Sequence, residues 1–257
     1  MKTVDYAIAD NVKAFSTLRH EGFSSGTYSS FNANEFCGDD IENVAKNREL
    51  LCNYLQISPN NLVVPHQTHH TNILIVDDVF EGKTSTEKRQ SLEDKDALIC
   101  NIPGICICVS TADCIPVIIY DTVGQVSACI HAGWRGTCAR ICEKAIKTMI
   151  SVFGTAPCNC KAVIGPGISL KNFEVGDEVY EVFSKNGFPM DCISQRQKKW
   201  HIDLKECNRF QLLSEGIHEE NIEVCDICTF DNTIDFFSAR RLGIASGRIL
   251  TGILIKQ

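Results

Sequence analysis

Apolar positions along this chain fall into short strand-like runs separated by longer helical stripes. Runs at Leu62 to Pro65, Thr71 to Val76, Ala97 to Cys100, Gly104 to Ser110, Pro116 to Tyr120, Gln125 to His131 and Lys161 to Ile164 read as strands. Helical spacing predicts helices at Ile41 to Tyr54, Thr137 to Phe153, Val175 to Lys185 and Lys205 to Glu215. The two kinds of element are interleaved, but two apolar strands at the centre are joined by the turn signal Asp121-Thr122-Val123-Gly124. A hairpin there favours a mixed sheet over a purely parallel one. Glu81 to Asp96 is almost wholly polar and reads as one long solvated loop.

Composition adds limits to this pattern. With 257 residues, 44% of them hydrophobic and 22% charged, the chain can bury a full core, and one domain spanning 1–257 is expected. No apolar run reaches the ~20 residues of a membrane-spanning helix, and Asp5 and Asp10 stand where a signal peptide needs apolar residues. A soluble, cytoplasmic protein follows, with no membrane partner. A formal net charge of −7 and no Lys/Arg-rich stripe argue against a nucleic-acid partner. The 15 cysteines, an odd number in a long chain, read as free thiols in a reducing compartment. Strand alternation puts Cys106 and Cys108 on one face, as core residues. Cys158 with Cys160, and Cys225 with Cys228, lack a second pair at zinc-ribbon spacing, which disfavours structural zinc at either.

Three features carry candidate chemistry. A turn centred between Thr122 and Val123 places Cys114 opposite His131, and opposed residues have Cβ atoms ~4.5–5.5 Å apart, close enough to share a tetrahedral metal. A slip of one residue would send them to opposite faces. Next, His66, His69 and His70 stand just before a strand and are three of only seven histidines. Any one of them alone is more often an ordinary half-buried histidine, but a His, Cys and His set suits zinc, with an open fourth position for catalysis. Arg48, last, falls on the apolar stripe Ile41, Val44, Ala45, Leu51, Cys52 and Leu55 of a helix opened by Asp39 and Glu42 as a capping box. An inward guanidinium needs an anion, either a fixed carboxylate in an internal salt bridge or a bound phosphate.

The strings YSSFN, GDDIENVAKNREL, QTHH, DALIC, TADCIPV, HAGWRG, IGPGIS, FEVGDEV and CTFDNTIDFFSARR, followed by GR, resemble in order the motifs of the laccase-domain family. That family was first labelled polyphenol oxidase and is understood as zinc-dependent purine nucleoside phosphorylases. The resemblance covers nearly the whole chain. It implies an α+β fold of mixed β-sheets covered by helices in a layered α/β/β/α architecture. It also implies one zinc per chain, held by His69, Cys114 and His131, of which the last two are the pair opposed across the hairpin. Arg48 matches an arginine associated with substrate binding, and Asn32 the asparagine of a nearby motif. The implied activity is phosphorolysis of adenosine, inosine, guanosine and methylthioadenosine, with deamination of adenosine at the same site. Partners are then purine nucleosides and phosphate, on a monomer or homodimer. Two departures are His70, where the family has a small residue, and Asn172-Phe173, where Cys and Tyr are common. His70 is thus a possible competing ligand or nearby base.

Rival readings use the same residues. A multicopper oxidase needs about ten histidines in paired motifs, more than this chain has. A thiol hydrolase with Cys114 as nucleophile and His131 as base, or a hydrolase editing peptidoglycan precursors, is separated from a zinc enzyme by metal content and substrate. For phosphorolysis, Arg48, Arg135 and Arg240 are candidates to hold phosphate. Asp113, beside Cys114, is a candidate proton-transfer group, although an Asp in a turn more often bonds backbone.

Overall fold

A computed structural model describes residues 1–257. Two sheets lie face to face at its centre. One has five strands in the order Thr3–Tyr6, Val12–Thr17, Ile249–Ile255, Cys106–Thr111 and Leu62–Val63. The other has six, in the order Ile222–Val224, Cys160–Ile164, Ile115–Asp121, Val126–Ala132, Ala97–Cys100 and Ile73–Val76. Both mix parallel and antiparallel pairs, as expected from a central hairpin. A small third sheet joins Glu174–Val175, Trp200–Ile202 and Ser194–Arg196.

Strand alternation explains the layers. Ile107, Val109 and Ile253 of the first sheet meet Leu98, Ile118, Tyr120 and Cys129 of the second in one buried cluster. The opposite face of the second sheet, with Ile99, Val117, Ile119 and Ile130, packs against Ile141, Ala145 and Ile146 of helix Ile141–Phe153 and against Cys207 and Leu212 of helix Leu204–Ser214. The opposite face of the first sheet, with Cys106, Cys108 and Leu254, packs against Leu51 and Leu55 of helix Ile41–Leu55. The stack is helix, sheet, sheet, helix, and Cys106 and Cys108 share a face with their sulfurs 3.6 Å apart. No helix is long and apolar enough to cross a membrane.

Several local readings need correction. The hairpin register pairs Pro116, not Cys114, with His131, because the turn is a four-residue loop flanked by the Asp121 and Val126 pair. Asp121 Oδ1 accepts from the N–H of Val123 (3.0 Å) and Gly124 (2.9 Å), and Gln125 takes φ +52°, which lengthens the turn. The slip is two residues, so the faces are preserved. Cys114 itself lies just before strand Ile115–Asp121.

Within Glu81 to Asp96 the chain is not one loop. Thr84 and Glu87 form a reciprocal capping box that opens a helix over Ser85–Ser91. Helix Ile41–Leu55 is capped by Asp40 rather than Asp39, since Asp40 accepts from Glu42 N and Asn43 N. Its apolar stripe is narrower than the spacing suggested, because Ile41 and Ala45 are exposed while the polar Asn47 is buried. The long helix expected to end at Phe153 is two helices, Trp134–Cys138 and Ile141–Phe153, parted at Arg140 with φ +64°.

Candidate metal centre

Three segments converge where the hairpin leaves the sheet. His131 lies in strand Val126–Ala132 and is 3% exposed. Its Nδ1 is 2.7 Å from Asp96 Oδ1, and its backbone N–H donates to Asp96 O (2.8 Å). A carboxylate on Nδ1 fixes the tautomer and turns Nε2 outward, the arrangement found behind metal-bound histidines. Asp96 also accepts from the backbone N–H of His69 (3.0 Å) and His70 (2.8 Å). One buried carboxylate therefore orients one histidine and anchors the loop that carries the next.

That loop is held at a second point. Gln67 Oε1 accepts from Ser110 N (2.7 Å) while its Nε2 donates to Ser110 O (2.8 Å), so the side chain pairs with the strand edge as another strand would. His69 takes φ +67°, a left-handed conformation held by these contacts. Cys114 follows Asp113, whose φ is +89° and whose carboxylate accepts from Thr229 Oγ1 (2.7 Å) and Arg240 N (2.7 Å). The ligand atoms of His69, Cys114 and His131 lie within 4.8 Å of one another.

Gly133 provides the space between them. A Cβ there would sit 3.1 Å from Cys114 Sγ and from His69 Cδ2, and 3.7 Å from His131 Cε1. Electrostatics agree with a ligand set. Burial would raise the Cys114 thiol, but the His131 charge and hydrogen bonds from both histidines bring it down to about 6. Burial would lower His131, but the Cys114 thiolate and Asp96 raise it to about 9. Burial works against the Asp96 carboxylate too, yet His131 and the two backbone N–H groups hold it below the ordinary range.

The cavity in front of the triad is about 320 Å³ and is bounded by Asn34, Phe36, Gln67, Ser110, Ile244 and Arg248 among others. His70 points elsewhere, with Nδ1 2.9 Å from Asp94 on the exposed side of the loop. His66 stacks on Phe36, ring centroids 4.2 Å apart, and its Nδ1 is 2.7 Å from Glu93.

The structure does not bring the other predicted site residues to this cavity. Arg48 is inward, as its helix position implied, but lines the neighbouring cavity. Its Nε donates to Ala33 O (2.9 Å), Nη1 is 3.7 Å from Glu35, and Nη2 is buried without a partner. Burial lowers its pKa, opposed by Glu35. Asn32 is fully buried, donating to Asp39 Oδ2 (2.8 Å) and accepting from Arg248 N (3.0 Å). Arg135 lies 4.3 Å over the Trp134 ring, and Arg240 lies 5.5 Å over Phe173 with Nη1 on Glu174 O (3.3 Å). Sequence reasoning missed Asp96, Gln67, Gly133 and Arg248. All four sit inside quoted motifs, DALIC, QTHH, HAGWRG and GR, but nothing in the residue pattern marked their roles.

Comparison with known proteins bears on this site. Residues 13–256 match the family model described as multi-copper polyphenol oxidoreductase laccase. A purine nucleoside phosphorylase of Bacteroides thetaiotaomicron is 48% identical, over 96% of this chain and 93% of that protein. An adenosine deaminase, RL5, of an unknown prokaryotic organism is 38% identical over 100% of this chain and 99% of that one. The crystal structure of YlmD from Geobacillus stearothermophilus superimposes with a TM-score of 0.91 at 27% identity, covering 98% of this chain and 94% of that one.

Proposed function

The chain belongs to the multi-copper polyphenol oxidoreductase laccase family, and from that membership and the donor set of its cavity we propose that it is a zinc-dependent purine nucleoside phosphorylase that also deaminates adenosine. It is a nucleoside-processing enzyme. The finer reading names adenosine, inosine, guanosine and methylthioadenosine as substrates, with phosphate as the acceptor of ribose.

The observation that carries this reading is the His69, Cys114 and His131 group with Asp96 behind it. One thiolate and two imidazoles are a zinc donor set, and three protein ligands leave one position open. The space kept by Gly133 fits an ion among them. A three-copper cluster with a separate blue copper needs several such groups, and the family description in that respect fits this chain poorly. A bound zinc ion would supply Lewis-acid polarisation of a substrate oxygen.

The chain's own residues supply positioning. Asp96 keeps the proton of His131 on Nδ1, so Nε2 stays free to ligate. The Asp113 carboxylate, with both oxygens occupied, fixes the turn that presents Cys114, and we assign it this role in preference to proton transfer. Arg48 holds Ala33 O, and Asn32 holds Arg248 N, so both shape the wall of the cavity from behind. Arg240 contributes through its backbone N–H to Asp113. Arg135, stacked on Trp134 in the helix that follows Gly133, is placed to act only if it leaves that ring. In phosphorolysis a phosphate oxygen bonds to ribose C1′ as the bond from C1′ to the purine nitrogen breaks, and the departing base takes a proton.

The test is to incubate inosine with the enzyme at varied phosphate and quantify ribose 1-phosphate against free ribose. Release of hypoxanthine that rises with phosphate, with ribose 1-phosphate in equal amount, is expected. Phosphate-independent release giving free ribose would replace this reading with a hydrolase. No release from any purine nucleoside would favour the peptidoglycan-precursor substrate class.

A further inference from the structure

With Arg48, Arg135 and Arg240 outside the metal cavity, one arginine or lysine remains in its lining, Arg248. No carboxylate lines the cavity, although the chain has 32 acidic residues against 25 Lys and Arg. The cavity is therefore a place of local positive character in a negatively charged molecule, and such a place concentrates anions.

Arg248 is held in a defined pose. It leads into strand Ile249–Ile255, where Leu250 pairs with Ser110. Alternation puts Arg248, two residues before Leu250, on the side of Ser110, another lining residue. Its Nη1 donates to Ser246 O (2.6 Å) and Gly247 O (3.0 Å), and its Nη2 to Ile244 O (3.1 Å). A guanidinium has five N–H groups, and these bonds use three. One Nη2–H and Nε–H are left without a protein partner. The guanidinium plane is already fixed by the carbonyls, so presenting that pair costs little further side-chain entropy.

We propose that Arg248 is the anion receptor of the metal cavity and holds inorganic phosphate through these two remaining N–H groups. The assignment rests on the phosphorylase reading for its ligand, and on the cavity's charge and Arg248's free donors for its place. Two parallel N–H groups match two oxygens of one phosphate, a geometry that lysine cannot reproduce.

The experiment measures equilibrium binding of inorganic phosphate, and separately of inosine, to the metal-loaded enzyme and to Arg248→Gln and Arg248→Lys variants by calorimetry. Phosphate affinity is expected to fall about 10- to 100-fold in Arg248→Gln and by less in Arg248→Lys, with inosine affinity changed less than about threefold. Unchanged phosphate affinity in Arg248→Gln overturns the proposal. Equal weakening of phosphate and inosine also overturns it, because Arg248 would then act only by shaping the loop that carries Ile244. A wild-type enzyme that binds phosphate through Arg248 yet does not cleave inosine would support the anion site and remove the phosphorylase reading.

Discussion

Two cavities stand back to back in this protein, and they differ in whether carboxylates stand among their cations. Asn34, Phe36, His66 and Gln67 face the metal cavity, while Glu35, Val63 and Val64 from the same segments face the one that holds Arg48. The first has no lining carboxylate, and His131 and Gln67 are held in place by Asp96 and Ser110. The second mixes Arg48, Lys83, Lys88 and Arg89 with Glu35 and Glu81, and two of its cations meet its carboxylates, Lys88 with Glu81 at 2.8 Å and Arg48 with Glu35 at 3.7 Å, while Lys83 donates to Ser91. A cation on the inward face of a helix is thus shown to be buried, but not to be at the site. What separates the two cavities is whether the polar groups are oriented from behind and left open in front.

The largest effect should come from filling the space among the ligands. Gly133→Val puts atoms where the ion would sit, so metal content measured by elemental analysis should fall to background, and turnover with it, while circular dichroism keeps the wild-type fold. Full metal content in that variant would break the assignment of the first cavity.

A smaller effect is expected from the group behind the ligands. Asp96→Asn should weaken metal binding about 10- to 100-fold, read by competition with a chelator. Wild-type affinity should itself depend on pH in a specific way. Between about 9 and about 6 the ion must displace a proton from His131, and below about 6 one from Cys114 as well. Affinity should then fall as pH falls, by about one log unit per pH unit in the upper range and more steeply below it. A flat profile across both ranges would mean that these two groups do not ligate.

The smallest effect should come from the second cavity. Arg48→Met removes a guanidinium whose Nη2 has no partner and leaves Glu35 partly exposed, so stability should change by only about 1 kcal/mol in urea titration. Metal content should be unchanged and turnover about tenfold lower, because Ala33 and the wall it belongs to lose their tie. Loss of metal in this variant would erase the distinction between the cavities.

How much of this was legible in the sequence depended on range. Cys114, His131 and a histidine of the His66, His69 and His70 run could be grouped because each stands at the end of a strongly apolar strand, and the resemblance to the family's motifs selected His69 among the three. The hairpin register was misread by two residues because Asp121 builds a longer turn than its neighbours suggest, yet period-two alternation kept the faces right. Strands Val12–Thr17 and Ile249–Ile255 were not identified. The first mixes Lys13, Ser16 and Thr17 with apolar residues, and the second is interrupted by Gly252, so neither shows a clean alternation. Asp96 and Arg248 were invisible for a different reason. Their roles come from partners far along the chain, and one residue's identity carries no record of which distant atoms it will meet.

The central place of strand Ile249–Ile255 also bears on how the molecule is made. It lies between Val12–Thr17 and Cys106–Thr111, joining strands from early and middle parts of the chain. During synthesis the hairpin bearing His131 can form once its own residues have emerged, since its pairing is local. The first sheet must wait for the strand that follows Arg248, and the early hairpin spends that interval with an open edge, a period of exposure to mispairing between nascent chains. The wall of the metal cavity formed by Arg248 is therefore among the last parts of the enzyme to exist.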